Sequence, residues 1–186
     1  LVFLPESVIA EAIREDAAYQ GVRVKLVARL GEIRLPLQVD IGFGDAITPK
    51  PQPAEFPPLL DFPAPRLRMY ARETSIAEKF EAMVTLDLDN SRMKDFYDIW
   101  VLSREFEFEG ATLGAAIRAT FKRRKTELAA AAPVALTDEF ATNPAKVQQW
   151  QAFVRRGRFK LVESNLAVGV GVARDFLMPV VTATAG

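Results

Sequence analysis

Seven prolines fall in the eighteen residues from Thr48 to Pro65, and nothing else in this sequence restricts the fold as much. Proline fixes φ and has no N–H, so the stretch excludes helix and confines any strand to an edge or a short piece. It is expected to be an extended, stiff connector. It also separates two kinds of pattern: apolar residues alternate at period two before it and recur at helical spacing after it.

On the N-terminal side, Val22 to Leu30 (VRVKLVARL) and Ile33 to Phe43 (IRLPLQVDIGF) both alternate, with Gly31-Glu32 between them. This predicts a β-hairpin with a tight turn, placing Val22, Val24, Leu26, Ala28 and Leu30 on one face. Val8 to Glu15 reads as a strand through Val8, Ala10 and Ala12, or as a helix through Ile9, Ala12 and Ile13. The strand is preferred, because Tyr19-Gln20-Gly21 then turns it into the hairpin as a meander.

On the C-terminal side, Arg66 to Tyr70 is expected to add a short strand. The helices predicted are Thr74 to Thr85, Arg92 to Arg104 with Ser91 as cap, Leu113 to Lys125, Pro144 to Arg156 with Asn143 as cap, and Val162 to Leu177. Strands first and helices second predict an α+β protein: a small mixed or antiparallel sheet with its proline-rich connector over 1–72, then a helical domain over 73–186. No apolar run approaches the roughly 20 residues that cross a bilayer, so no membrane association is expected.

Composition narrows the chemistry. There is no histidine and no cysteine, which removes imidazole bases, thiol nucleophiles, zinc ribbons and disulfides, and makes a reducing cytoplasm the expected compartment. What remains is carboxylates, lysines, arginines and a hard cation such as Mg²⁺. Lys+Arg and Asp+Glu each count 24, so no global field draws in nucleic acid, and RNA contact would need local patches. Two candidates are Arg118 with Lys122, Arg123, Arg124 and Lys125 around Phe121, and Arg155, Arg156, Arg158 and Lys160 around Phe159. Each also reads as a solvated helix end carrying cations that suit its C-terminus.

Three segments concentrate functional residue types. In LQVDIGFGD, Asp40 sits between Val39 and Ile41, either on a solvated polar face or in a site; Gly42 and Gly44 favour a bulge or close ligand approach. Asp45 is a secondary candidate that also fits a turn cap. Lys79 lies on a predicted helix beside Glu78 and Glu81, either as a solvated charge or as a site residue. In SRMKDFYDIW, Arg92, Lys94, Asp95 and Asp98 crowd the first turns of a helix, and Asp95 and Asp98 share a face. Carboxylates suit a helix N-terminus, but such a mixture of acids and cations is also what nucleotidyl or phosphoryl transfer needs.

Together, LQVDIGFGDAITP, ETSIAEKFEAMV and NSRMKDFYDIW resemble the AbiEii/AbiGii toxin family, nucleotidyltransferase-fold proteins of type IV toxin–antitoxin and abortive-infection systems. The resemblance runs from about Val8 to Phe121, more loosely to Pro179. It implies an NTP- and Mg²⁺-dependent nucleotidyltransferase with a separate antitoxin partner, some members of the family acting on tRNA ends. It further implies Asp40 as a metal ligand and Lys79 at the nucleotide phosphates. Arg92 and Lys94 match nucleotide-binding positions, Asp95 the essential acid, and Asp98 a residue that orients Lys79 or Arg92.

The family's opening GG[S/T] strand-turn-helix and D-x-D pair are not in this sequence. The chain is therefore expected to begin downstream of part of its own site, to be inactive alone and to self-associate through the early strands. A non-catalytic relative that binds antitoxin or RNA is the alternative.

Overall fold

The computed structural model describes residues 1–13, 21–157 and 165–185. The Tyr19-Gln20 turn, Glu15, the start of the last predicted helix at Val162, and Arg158, Phe159 and Lys160 lie outside the described residues. The fold is α+β, and it comprises two compact units, Leu1–Asp45 and Ala46–Gly186.

The first unit is the meander that the alternation predicts. Strands β1 (Val2–Ile13), β2 (Gly21–Leu30) and β3 (Ile33–Gly42) form an antiparallel sheet in the order β1-β2-β3. A two-residue turn joins β2 to β3, and Gly31 there has φ 57, a left-handed value that glycine adopts without steric cost. The register pairs Val22 with Ile41, Val24 with Val39 and Leu26 with Leu37, so one face is apolar; Arg23 with Asp40 and Lys25 with Gln38 make the other polar. The register of β1 on β2 slips between Leu4 and Ile9. Ser7 anchors this bulge: its hydroxyl accepts from the Val27 N–H at 2.8 Å and donates to the Leu4 carbonyl at 2.6 Å.

The second unit opens with the proline-rich stretch, which doubles back on itself. Strand β4 (Gln52–Glu55) pairs antiparallel with β5 (Arg66–Met69), so the expected connector is largely the loop of a small hairpin. Pro53 is accommodated because this ladder has only two strands, both of them edges.

Among the described residues six α-helices follow: α1 (Arg72–Leu86), α2 (Met93–Glu105), α3 (Gly110–Arg124), α4 (Asp138–Thr142), α5 (Pro144–Gly157) and α6 (Leu166–Ala185). Their core includes Phe80, Phe96, Phe121, Phe140, Trp150 and Leu177, all essentially inaccessible to water. Burying one such side chain contributes about 1.5–3 kcal/mol. Phe80 meets Phe121 with ring centroids 5.3 Å apart, joining α1 to α3, and Phe96 stacks on Phe140 at 5.2 Å, joining α2 to α4.

Three local expectations are corrected. Helix α2 begins at Met93 and Ser91 does not cap it; the Asn90 side-chain oxygen accepts the Arg92 N–H instead, at 2.8 Å. Asn143 does cap α5, accepting from Ala145 at 3.0 Å. Helix α6 continues through Pro179 to Ala185, well past Leu177. By length and composition α6 is apolar enough to cross a membrane over Leu166–Thr184, so the expectation that no run approaches that length fails. Its buried stripe, however, is Leu166, Val170, Ala173, Leu177 and Val181, at helical spacing within the core of the unit.

Candidate functional site

Helix α1 turns two faces in two directions. Ile76, Ala77, Phe80 and Met83 enter the core, while Ser75, Lys79 and Ala82, spaced four and three apart, line a polar cleft. Arg92 from the start of α2, Arg124 from the end of α3, and Glu78 complete its wall, around a volume of about 160 Å³. An adjoining, more apolar cleft of about 410 Å³ shares Ser75 and Lys79 and adds Tyr97, Asp98, Val101 and Leu102.

Lys79 is the centre of the charge network. Its Nζ lies 2.9 Å from Asp95 and 2.7 Å from Asp98, the two acids that the three-residue spacing puts on one face of α2. Asp95 is the more enclosed, with a side chain 3% exposed, and its other oxygen accepts from Arg92 Nε at 2.6 Å. Asp98 also pairs with Lys94 at 2.5 Å. Five sequence-predicted residues, Lys79, Arg92, Lys94, Asp95 and Asp98, are thus one connected network.

Burial works against the charge on Lys79, but the hydrogen bonds and charges of Asp98 and Asp95 outweigh it and raise its pKa above the ordinary lysine value. Lys79 is therefore a fixed cation at neutral pH. It can bind an anion or stabilise developing negative charge; it cannot serve as a base.

Sequence reasoning missed the second tier of this site. Arg124 reads in sequence as one member of a basic run, yet its guanidinium turns inward and pairs with Glu81 of α1 at 2.5 Å. Glu81 also accepts from Thr126 at 2.5 Å and from Thr85 at 2.7 Å. Burial raises the Glu81 pKa, but the bonds from Thr126, Arg124 and Thr85 and the Arg124 charge overcome this, and the net shift is downward. The only local signal was Glu81 beside Lys79; the partner stands 43 residues away, beyond any periodicity. Arg118, Lys122, Arg123 and Lys125 remain exposed.

Asp40 belongs to the sheet unit. It lies on the polar face of β3, and Arg23 grips both its oxygens at 2.8 Å, with Gln38 at 3.2 and 3.3 Å. The Arg23 hydrogen bonds lower its pKa against a smaller opposing cost of burial. The contact of Gly42 with Asp45, whose carboxylate lies 3.4 Å from where a Cβ would stand, is ordinary van der Waals spacing.

These acids do not by themselves fit a Mg²⁺ site. Among the described residues no three acidic side chains gather to hold a cation. Those of the network are already engaged by lysine and arginine, and Asp40 is engaged by Arg23. Mg²⁺ usually demands octahedral oxygen coordination, with carboxylates free to contribute. The cleft on α1 suits an anion.

A family model described as nucleotidyl transferase AbiEii toxin, type IV TA system, matches residues 2–166 of the 186. No curated protein and no solved structure matches.

Proposed function

Because the chain belongs to the AbiEii family of nucleotidyl transferase toxins of type IV toxin–antitoxin systems, we propose that its polar cleft holds the phosphates of an NTP during nucleotidyl transfer. In that reaction an acceptor hydroxyl attacks the α-phosphorus and pyrophosphate leaves. Catalysis of this kind rests mostly on positioning and on neutralising charge around the phosphates. The observation that carries the reading is Lys79, fixed by two carboxylates at the wall of a cleft that Arg92 and Arg124 also line.

Each residue has a role in this reading. Lys79 and Arg92 meet phosphate oxygens, and Arg124 supplies a third cation from α3. Asp95 is the hub that fixes both Lys79 and Arg92, and Asp98 with Lys94 holds Lys79 from the other side. The proposed acceptor is RNA, approached by the exposed cations of α3, and the antitoxin is a separate protein of the same system.

Calorimetric titration with the four NTPs tests the proposal. At least one should bind, and Lys79→Ala should weaken it by about tenfold or more, an ordinary loss for a charge-assisted contact. Equal NTP affinity in wild type and Lys79→Ala would remove Lys79 from the site. Wild type that ignores every NTP while binding its antitoxin would favour the non-catalytic alternative.

A further inference from the structure

A residue outside the cleft lining bonds to the segment that leads into α2. Lys146, on the first turn of α5, is only 7% exposed, and its Nζ donates to the Asn90 backbone carbonyl at 3.0 Å, 56 residues away. No carboxylate pairs with it among the described residues; its second neighbour is the Phe140 ring, 5.6 Å away. Asn90 is fully buried, and its side-chain oxygen accepts the Arg92 N–H at 2.8 Å. Arg92 in turn grips Asp95, and Asp95 grips Lys79.

We infer that Lys146 is a positioning residue: through Asn90 it sets the entry of α2 and so the placement of Arg92, Asp95 and Lys79. Two arguments support this. A buried amine whose polar partner is one backbone carbonyl is a poor device for stability, since the cost of burying the amine offsets much of what the single bond returns. It is a good device for fixing one backbone atom, because Nζ has a short reach and the bond is directional. Phe140, beneath the same Nζ, stacks on Phe96, the neighbour of Asp95, so α2 is braced at two points.

This inference deepens the proposed function and rests on it only for the second of two readouts. The first is the Arg92 Nε–H resonance, identified by its loss in Arg92→Lys. In the wild-type chain the 2.6 Å bond to Asp95 should protect that proton, although the Arg92 side chain is 55% exposed. In Lys146→Met, which keeps the buried stem, the proton should exchange at least about tenfold faster, and pyrophosphate affinity should fall by about as much. Lys146→Arg, which restores a donor, should recover part of both. A folded Lys146→Met with unchanged Arg92 protection overturns the inference. Should Lys146→Met fail to fold, Asn90→Ala breaks the same chain at its next link, and unchanged Arg92 protection there overturns it equally. An Arg92 signal that responds, in a protein whose wild type ignores pyrophosphate, supports the positioning role and overturns the phosphate reading.

Discussion

Asp95 and Asp98 both reach Lys79, yet their surroundings differ enough to give them different costs. The Asp95 side chain is 3% exposed and holds two cations; that of Asp98 is 18% exposed and shares its load with a solvated lysine. Asp95→Asn should therefore destabilise the protein by about 3 kcal/mol, the lower end for breaking a buried pair, since Lys79 keeps Asp98. Asp98→Asn should cost less than about 1 kcal/mol. Urea denaturation of the two variants checks this, and equal costs would contradict it. The shared face of these acids was legible because three-residue spacing on a helix fixes it. Their meeting with Lys79 came from the resemblance, and Arg124 was not legible at all, because a basic run does not reveal which member turns inward.

Helix ends and helix pairings are where local reading gave way to packing. Ser91 suits a cap, but α2 starts at Met93 without a side-chain cap, and Asn90 beside it is instead held by the Arg92 N–H and the Lys146 amine. The helix predicted to end at Leu177 runs on through Pro179, because the core stripe on either side of that proline carries it. Leu177→Ala should cost about 2–5 kcal/mol by urea denaturation, the range for emptying a buried leucine site; a negligible cost would mean that the stripe is not core. The α1–α3 contact has a pH signature. Glu81 has a folded pKa below its unfolded value of about 4.3, so its stabilisation is present above that pH and lost as pH falls through the folded value. Wild type should lose stability below about pH 4 more steeply than Glu81→Gln, and parallel curves would show that Glu81 is not the titrating link.

At the scale of the whole molecule, the order of patterns in the sequence was enough to foresee the α+β class, because alternation and helical spacing lie on opposite sides of the prolines. The prolines themselves were misread in part, since a hairpin can hide in a segment whose residues individually discourage strand. The central claim is that an NTP binds at the Lys79 network. Retention of α-³²P-NTP, compared between wild type and a folded Lys79→Ala, measures it most directly. Wild type should retain NTP and the variant should bind it at least about tenfold more weakly, the loss expected for one charge-assisted contact; equal retention by the two proteins would contradict it.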